Sequence, residues 1–206
     1  VTYAFSYTGG ALVKWFVDNL AQDAVLKARE QGTSVYDLLE GSCDDAPTGI
    51  LVLPHFAGAA TPFMDSGSKG AVVGLTLSHS QKDLYRAVME GVCYEMRLNQ
   101  ELLAESGVAI APLYATGGGA KSRVWMQMKA DVMNVPVTAL TTPEAGAAGS
   151  AMLVGVALGL YPTLEGAAAK MVKVREVFQP RPDAHAKYEM VYQRYKGLYQ
   201  AIRPIM

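Results

Sequence analysis

LYATGGGAKSRVW, residues 113–125, is the stretch whose reading decides the class of this chain. A short β-rich run, PLYAT from Pro112 to Thr116, leads into Gly117, Gly118 and Gly119, and Ser122 to Met133 then reads as a helix. Three successive glycines give up a large backbone entropy on folding, so such a turn needs a reason. A phosphate-binding loop would need Gly directly before Lys; here Ala120 precedes Lys121, and no Gly lies five residues before it. A dinucleotide fingerprint fits at Gly117 and Gly119 but meets Ser122 at its third position, with no acidic residue closing a strand at the expected distance. Two readings stay open on the residues alone. One is a strand-to-helix turn whose bare backbone admits a flat ligand at Gly118 and Gly119, facing the N–H groups of the next helix. The other is a tight turn with no ligand.

Working outward, strands and helices alternate, which makes the class α/β. Val1 to Tyr7 reads as an edge strand, and Gly9 to about Glu30 as a helix with Leu12, Phe16 and Leu20 at four-residue steps. Glu40 to Gly49 is turn-rich and holds Cys43, Asp44 and Asp45. Ile50–Pro54 reads as a strand buried on both faces and Gly70–Leu77 as another strand. Ser80 with Asp83 forms a capping-box pattern opening a long helix that Gly107 ends. Val135–Leu140 is a strand, and Pro143–Gly159 is a helix crowded with small residues, with Pro143 near its start. Thr163–Met171 reads as helical and Val174–Phe178 as extended. Asp183 is placed as the cap of a closing helix carrying the stripe Tyr188, Val191, Tyr192, Tyr195, Leu198, Tyr199 and Ile202.

Composition narrows the function classes. The chain has 206 residues, half of them apolar and 18% charged, with net charge −1. That provides no field for nucleic acid or an anionic membrane, and no apolar run approaches the ~20 residues of a membrane span. Two cysteines, Cys43 and Cys93, make no disulfide framework, so a reducing, cytoplasmic setting is expected. The opening VTYAFSYTGG has neither an initiator Met nor a signal-peptide pattern and reads as part of a longer protein. His55, His79 and His185 lie far apart without metal-ligand spacing. Ser122 lacks a nucleophile elbow.

Several motifs together resemble the C-terminal domain of the FGGY carbohydrate kinases, the family of xylulose, glycerol, gluconate and ribulose kinases. GAVVGLTLSHSQKDLYRAVMEGV (Gly70–Val92) resembles the second family signature, and LPHFAGAATPFMD its L-P-Y-x-x-G-x-x-x-P-x-x-D loop, with His55 for the usual Tyr and Ala59-Ala60 for Glu-Arg. TGGGAKS resembles the adenosine motif, EAGAAGSAMLVGVALG the E-A-x-A-x-G-A-A helix, and GGALVKW the AGASIQW region of glycerol kinases.

The resemblance implies a ribonuclease-H-like lobe of the actin-like ATPase type, a mixed sheet flanked by helices, with residues 1–206 as the nucleotide-side domain. The N-terminal domain that binds sugar and phosphate would be missing from this chain. It further implies that Gly118, Gly119 and Ala120 border the adenine and ribose of ATP or ADP, that Gly10 sits by the nucleotide, and that Lys14 and Arg123 occupy positions held by Gln and Asn in glycerol kinases. Glu144, Ala145, Ala147, Ala148 and Gly149 would lie where the connecting helices of the two lobes cross. The phosphate hairpin and general-base Asp belong upstream of residue 1, so no catalytic residue and no metal ligand is assigned; Asp65, Asp44 and Asp45 read as loop acids. The intact protein is expected to use ATP and Mg2+ to phosphorylate a sugar or polyol, a pentulose such as xylulose being favoured, while this chain alone is expected to be inactive. An uncovered cleft wall is expected to self-associate, with a homodimer as the candidate assembly. Two other readings stand beside this one: a nucleotide-switch module of another actin-like ATPase, and a non-enzymatic α/β interaction domain.

Overall fold

The computed structural model describes residues 3–41, 46–108, 110, 112–142 and 144–206. Cys43, Asp44, Asp45 and Pro143, singled out above, lie outside the described residues. At the centre is a long helix, α4 (Gln81–Glu105), buried on all sides from Tyr85 to Glu95. The expected capping box opens it: the Asp83 carboxylate accepts from the Ser80 amide at 2.7 Å and from its hydroxyl at 2.6 Å. Gly107, with φ of 81°, ends it.

The described residues form two small sheets, one of two strands and one of three. β1 (Leu51–Leu53), wholly buried, pairs antiparallel with β2 (Ala71–Val73) in the register Leu51↔Val73, and β1 packs on α4. Gly91 permits that approach, because a Cβ there would run into the Val52 carbonyl. The other sheet has the order β3 (Leu113–Ala115), β4 (Val137–Leu140), β5 (Val174–Phe178), parallel between β3 and β4 and antiparallel between β4 and β5. The crossover from β3 to β4 is α5 (Arg123–Met133), which packs against α4 and against α8 (Pro182–Tyr195). The architecture is α/β with a mixed sheet, as expected.

Three expected elements differ. Residues 3–7 form no strand; Phe5 is tied to Thr61, its amide donating to Thr61 Oγ1 at 3.3 Å and its carbonyl accepting from the Thr61 amide at 3.2 Å. The helix expected over 9–30 is two, α1 (Gly10–Leu20) and α2 (Gln22–Gln31), broken at Ala21. Side-chain amides take the last carbonyls of α1: Gln22 bonds Asp18 O at 2.7 Å, and Gln81, from the start of α4, bonds Leu20 O at 2.7 Å. Asp183 does not cap α8. Arg181 holds that position and Pro182, which needs no helical N–H partner, takes the first turn. The tyrosine stripe is buried as expected up to Tyr199, continuing past Lys196 and Gly197 into α9 (Leu198–Ile202), with Ile202 partly buried at its end.

A helix absent from the sequence reading, α3 (Val35–Glu40), follows α2, with Ser34 capping it by accepting from the Tyr36 amide at 3.2 Å. The small-residue helix is α6 (Ala145–Ala157); it packs on α7 (Leu164–Met171), and Gly155 is its buried residue. Its apolar side chains Leu153 and Val154 remain exposed, as does Leu158 just beyond it.

Candidate nucleotide cleft

A cleft of about 720 Å³ opens between the glycine turn on one side and α1 and α3 on the other. Each wall follows from local chemistry. β3 ends at Ala115, and Gly117 then adopts φ 85°, ψ −175°, a conformation confined in practice to glycine. A 3-10 turn over Gly118–Lys121 follows, with the Ala120 amide donating to Gly117 O at 3.2 Å and the Ser122 amide to Gly119 O at 3.3 Å. Ser122 caps α5 by accepting from the Trp125 amide at 2.9 Å. The turn is pinned from behind by Arg175 of β5, whose guanidinium donates to the Ala120 carbonyl.

The three glycines serve different needs. Gly117 is required by its φ; Gly119 is required by Trp125, whose ring would lie 2.8 Å from an added Cβ. Gly118 has nothing within 4 Å of such a Cβ, and neither does Gly10 across the cleft. Tyr85 from α4 and Trp125 from α5 complete the lining. The Trp125 indole donates to Met89 O at 3.3 Å and carries the Lys129 ammonium 4.3 Å from its ring centre.

Charge is divided within the cleft. Lys14 reaches Asp18 at 2.5 Å, and that hydrogen bond raises its pKa. Facing the glycine turn, α3 presents Asp37 and Glu40, one turn apart. Burial pushes the Glu40 carboxyl up, while the nearby hydroxyls of Ser122 and Tyr85, the latter donating to it at 3.3 Å, oppose that rise.

Of the six residues singled out from sequence, the structure brings Gly10, Lys14, Gly118 and Gly119 to one cleft. Ala120 is buried behind the turn. Arg123 turns outward, pairing with Glu176 at 2.6 Å with its guanidinium 5.8 Å from the Phe178 ring centre, so it does not line the cleft. The sequence reading missed Ser34, Tyr36, Asp37 and Glu40. The Ser34-x-x-Asp37 spacing, a helix-start pattern, was the available signal.

A second polar cluster has the look of a catalytic triad and is not one. His55 Nδ1 lies 2.8 Å from Ser68 Oγ, and His55 Nε2 lies 3.2 Å from Glu95, which also accepts from Tyr195 at 2.6 Å. All three triad-like residues are at most 3% exposed and none lines the cleft, so the cluster clasps the 54–68 loop to α4 and α8. Asp65 keeps a loop role, accepting from the Tyr199 hydroxyl at 2.6 Å and the Gly67 amide at 3.0 Å. Among the described residues no three His, Cys, Asp or Glu side chains converge as a metal site, and no helix is long and apolar enough to cross a membrane.

Residues 2–158 match the model of the FGGY family of carbohydrate kinases, C-terminal domain. The chain is 31% identical over 205 residues to a xylulose kinase of Staphylococcus epidermidis, all of this chain against 39% of that protein. It is 34% identical over 195 residues to a ribulokinase of Bacillus licheniformis, covering 90% of this chain and 35% of the relative. The solved xylulose kinase of Rhodospirillum rubrum superposes with a TM-score of 0.80 at 30% identity, over 97% of this chain and 39% of that one. The chain therefore spans about two fifths of the curated relatives it matches, and the lobe expected from the sequence is the fold these kinases share. With three quarters of its length inside the family model, this chain belongs to the FGGY family of carbohydrate kinases as a C-terminal domain.

Proposed function

We propose that this chain is the nucleotide-side lobe of a carbohydrate kinase that moves the γ-phosphoryl group of ATP to a sugar hydroxyl. The observation that carries the reading is the open cleft bordered by Gly118 and Gly10, where the backbone is bare without being forced to be so by strain or crowding. The nucleoside would lie against Gly118 and Gly119, above the Trp125 ring, with Ala120 closing the back of the turn. Gly10 and Lys14 would flank the phosphate side, Lys14 exchanging Asp18 for a phosphate oxygen. A pentulose is the favoured acceptor, because the relatives include both a xylulose kinase and a ribulokinase.

Phosphoryl transfer needs in-line positioning, metal on the β- and γ-phosphate oxygens and a base on the nucleophile. The residues here supply the first in part. The acidic residues of the described chain do not form a metal-holding set, so in this proposal Mg2+ arrives with the nucleotide and no step is routed through it. The sugar, the base and the phosphate hairpin belong to an N-terminal domain, against which the apolar side of α6 would pack. A cytoplasmic setting is part of the proposal, and the buried free thiol of Cys93 is compatible with it.

The test is an amide NMR titration of the 206-residue chain with ADP at millimolar concentration. Shifts centred on Gly10, Gly118, Gly119 and Lys121 are expected; saturating ADP with no shift at these amides would overturn the assignment. Alone, the chain should phosphorylate no sugar, whereas the protein joined to its N-terminal domain should phosphorylate a pentulose.

A further inference from the structure

We propose that Glu40 is a specificity determinant of the cleft, reading the 2′- and 3′-hydroxyls of the nucleotide's ribose; this rests on the nucleotide reading above. Asp37 and Glu40 stand on the α3 wall, opposite the Gly118–Gly119 shelf. Two carboxylates one turn apart repel phosphate, so the phosphates must run away from α3, toward Gly10 and Lys14. The part of the ligand left beside α3 is then the nucleoside, and a carboxylate there needs donors from it.

An adenine edge is a poor partner, since its amino group is flanked by ring nitrogens that are acceptors and would face the carboxylate. A ribose diol offers two donors side by side, which matches the two oxygens of one carboxylate. Glu40 is held ready for this. The Tyr85 hydroxyl of α4 donates to its carboxyl group at 3.3 Å, and a carboxylate has lone pairs beyond that one bond. Ser122, which ends the glycine turn and caps α5, lines the same cleft as Glu40. Asp37 and Glu40 are the acidic side chains that line the cleft, and Arg123, which the family resemblance would have put on the base, is instead engaged by Glu176.

The experiment titrates the 206-residue chain with ADP, 2′-deoxy-ADP and 3′-deoxy-ADP, following the Gly118 and Gly119 amides by NMR. Wild type should bind ADP more tightly than either deoxy analogue by roughly 10- to 100-fold, the range of a hydrogen bond to a charged group. Glu40→Gln should weaken ADP and leave the deoxy analogues nearly unchanged, closing the gap. Equal affinity of wild type for ADP and both deoxy analogues overturns the Glu40 assignment while leaving the nucleotide reading intact. No binding of any of the three overturns both. The comparison of ligands on unaltered protein decides the matter even if the variant folds poorly.

Discussion

Gly119 and Trp125 sit so close that a Cβ on the glycine would fall 2.8 Å from the indole ring, while Gly118, one residue earlier, faces open space. Neighbouring glycines therefore answer to different demands, one to the core and one to the cleft. Gly119→Ala should cost about 1–3 kcal/mol through displacement of the indole, as overpacking typically does. Gly118→Leu should stay within about 0.5 kcal/mol of wild type in stability. It should nonetheless weaken ADP binding at least tenfold, about 1.4 kcal/mol, by filling the cleft. Urea denaturation beside an ADP titration separates the two outcomes. A destabilised Gly118→Leu with unchanged affinity would mean that the turn is structural alone.

Arg123 gives the opposite expectation. Its side chain is 73% exposed and pairs with Glu176 on the far side of the turn. Arg123→Ala should cost no more than about 1 kcal/mol, the range of exposed ion pairs. ADP affinity should move by less than about twofold, some 0.4 kcal/mol. A tenfold loss measured in the same titration would return this residue to the site.

The parts of this fold that were legible share one property: their signals are local. The Ser80–Asp83 box, the continuous apolar run of β1 and the glycine turn each lie within a few residues of sequence. What stayed hidden depends on distant partners. Nothing near Ala21 announces the break between α1 and α2, because Gln81 helps to hold it from sixty residues away. Arg86 and Glu90, one turn apart, look like a solvated pair and Glu95 like a charge on the opposite side of the helix, yet all three are buried, since α4 is covered on every side. The α3 wall was missed for a different reason: six residues are too few to display a helical period. The same holds within the cleft, where the glycine turn was readable and the direction of Arg123, set by Glu176, was not.

Ser122 joins stability to the cleft, capping α5 while lining the cleft wall. Ser122→Ala should lose about 1 kcal/mol, the usual worth of an N-cap hydroxyl. It should also weaken ADP binding, because a frayed first turn of α5 loosens the glycine turn before it. Ser122→Thr keeps the capping hydroxyl and should restore most of both. Denaturation and titration of the pair test this; equal affinity of the Ala and Thr variants for ADP would show that the cap plays no part in binding.

Glu90 supplies a pH dependence that has nothing to do with the cleft. It accepts from Arg86 at 3.1 Å, from the Thr48 amide at 3.1 Å and from the Thr48 hydroxyl at 2.8 Å, with Arg86 also donating to Tyr188 at 2.6 Å. Burial nevertheless dominates and raises its pKa from 4.5 to about 7. Between those values the folded chain keeps a proton that the unfolded chain releases, so this contribution is complete below the unfolded pKa and disappears as pH rises through about 7. The urea midpoint of wild type should therefore fall more from about pH 5 to about pH 8 than that of Glu90→Gln, which has no proton to lose there. The variant should be less stable throughout, because the amide cannot accept from every donor that the carboxyl serves, but the comparison concerns slope and not level. Parallel slopes would show that Arg86 and Thr48 keep Glu90 ionised across the range, the donors prevailing over desolvation.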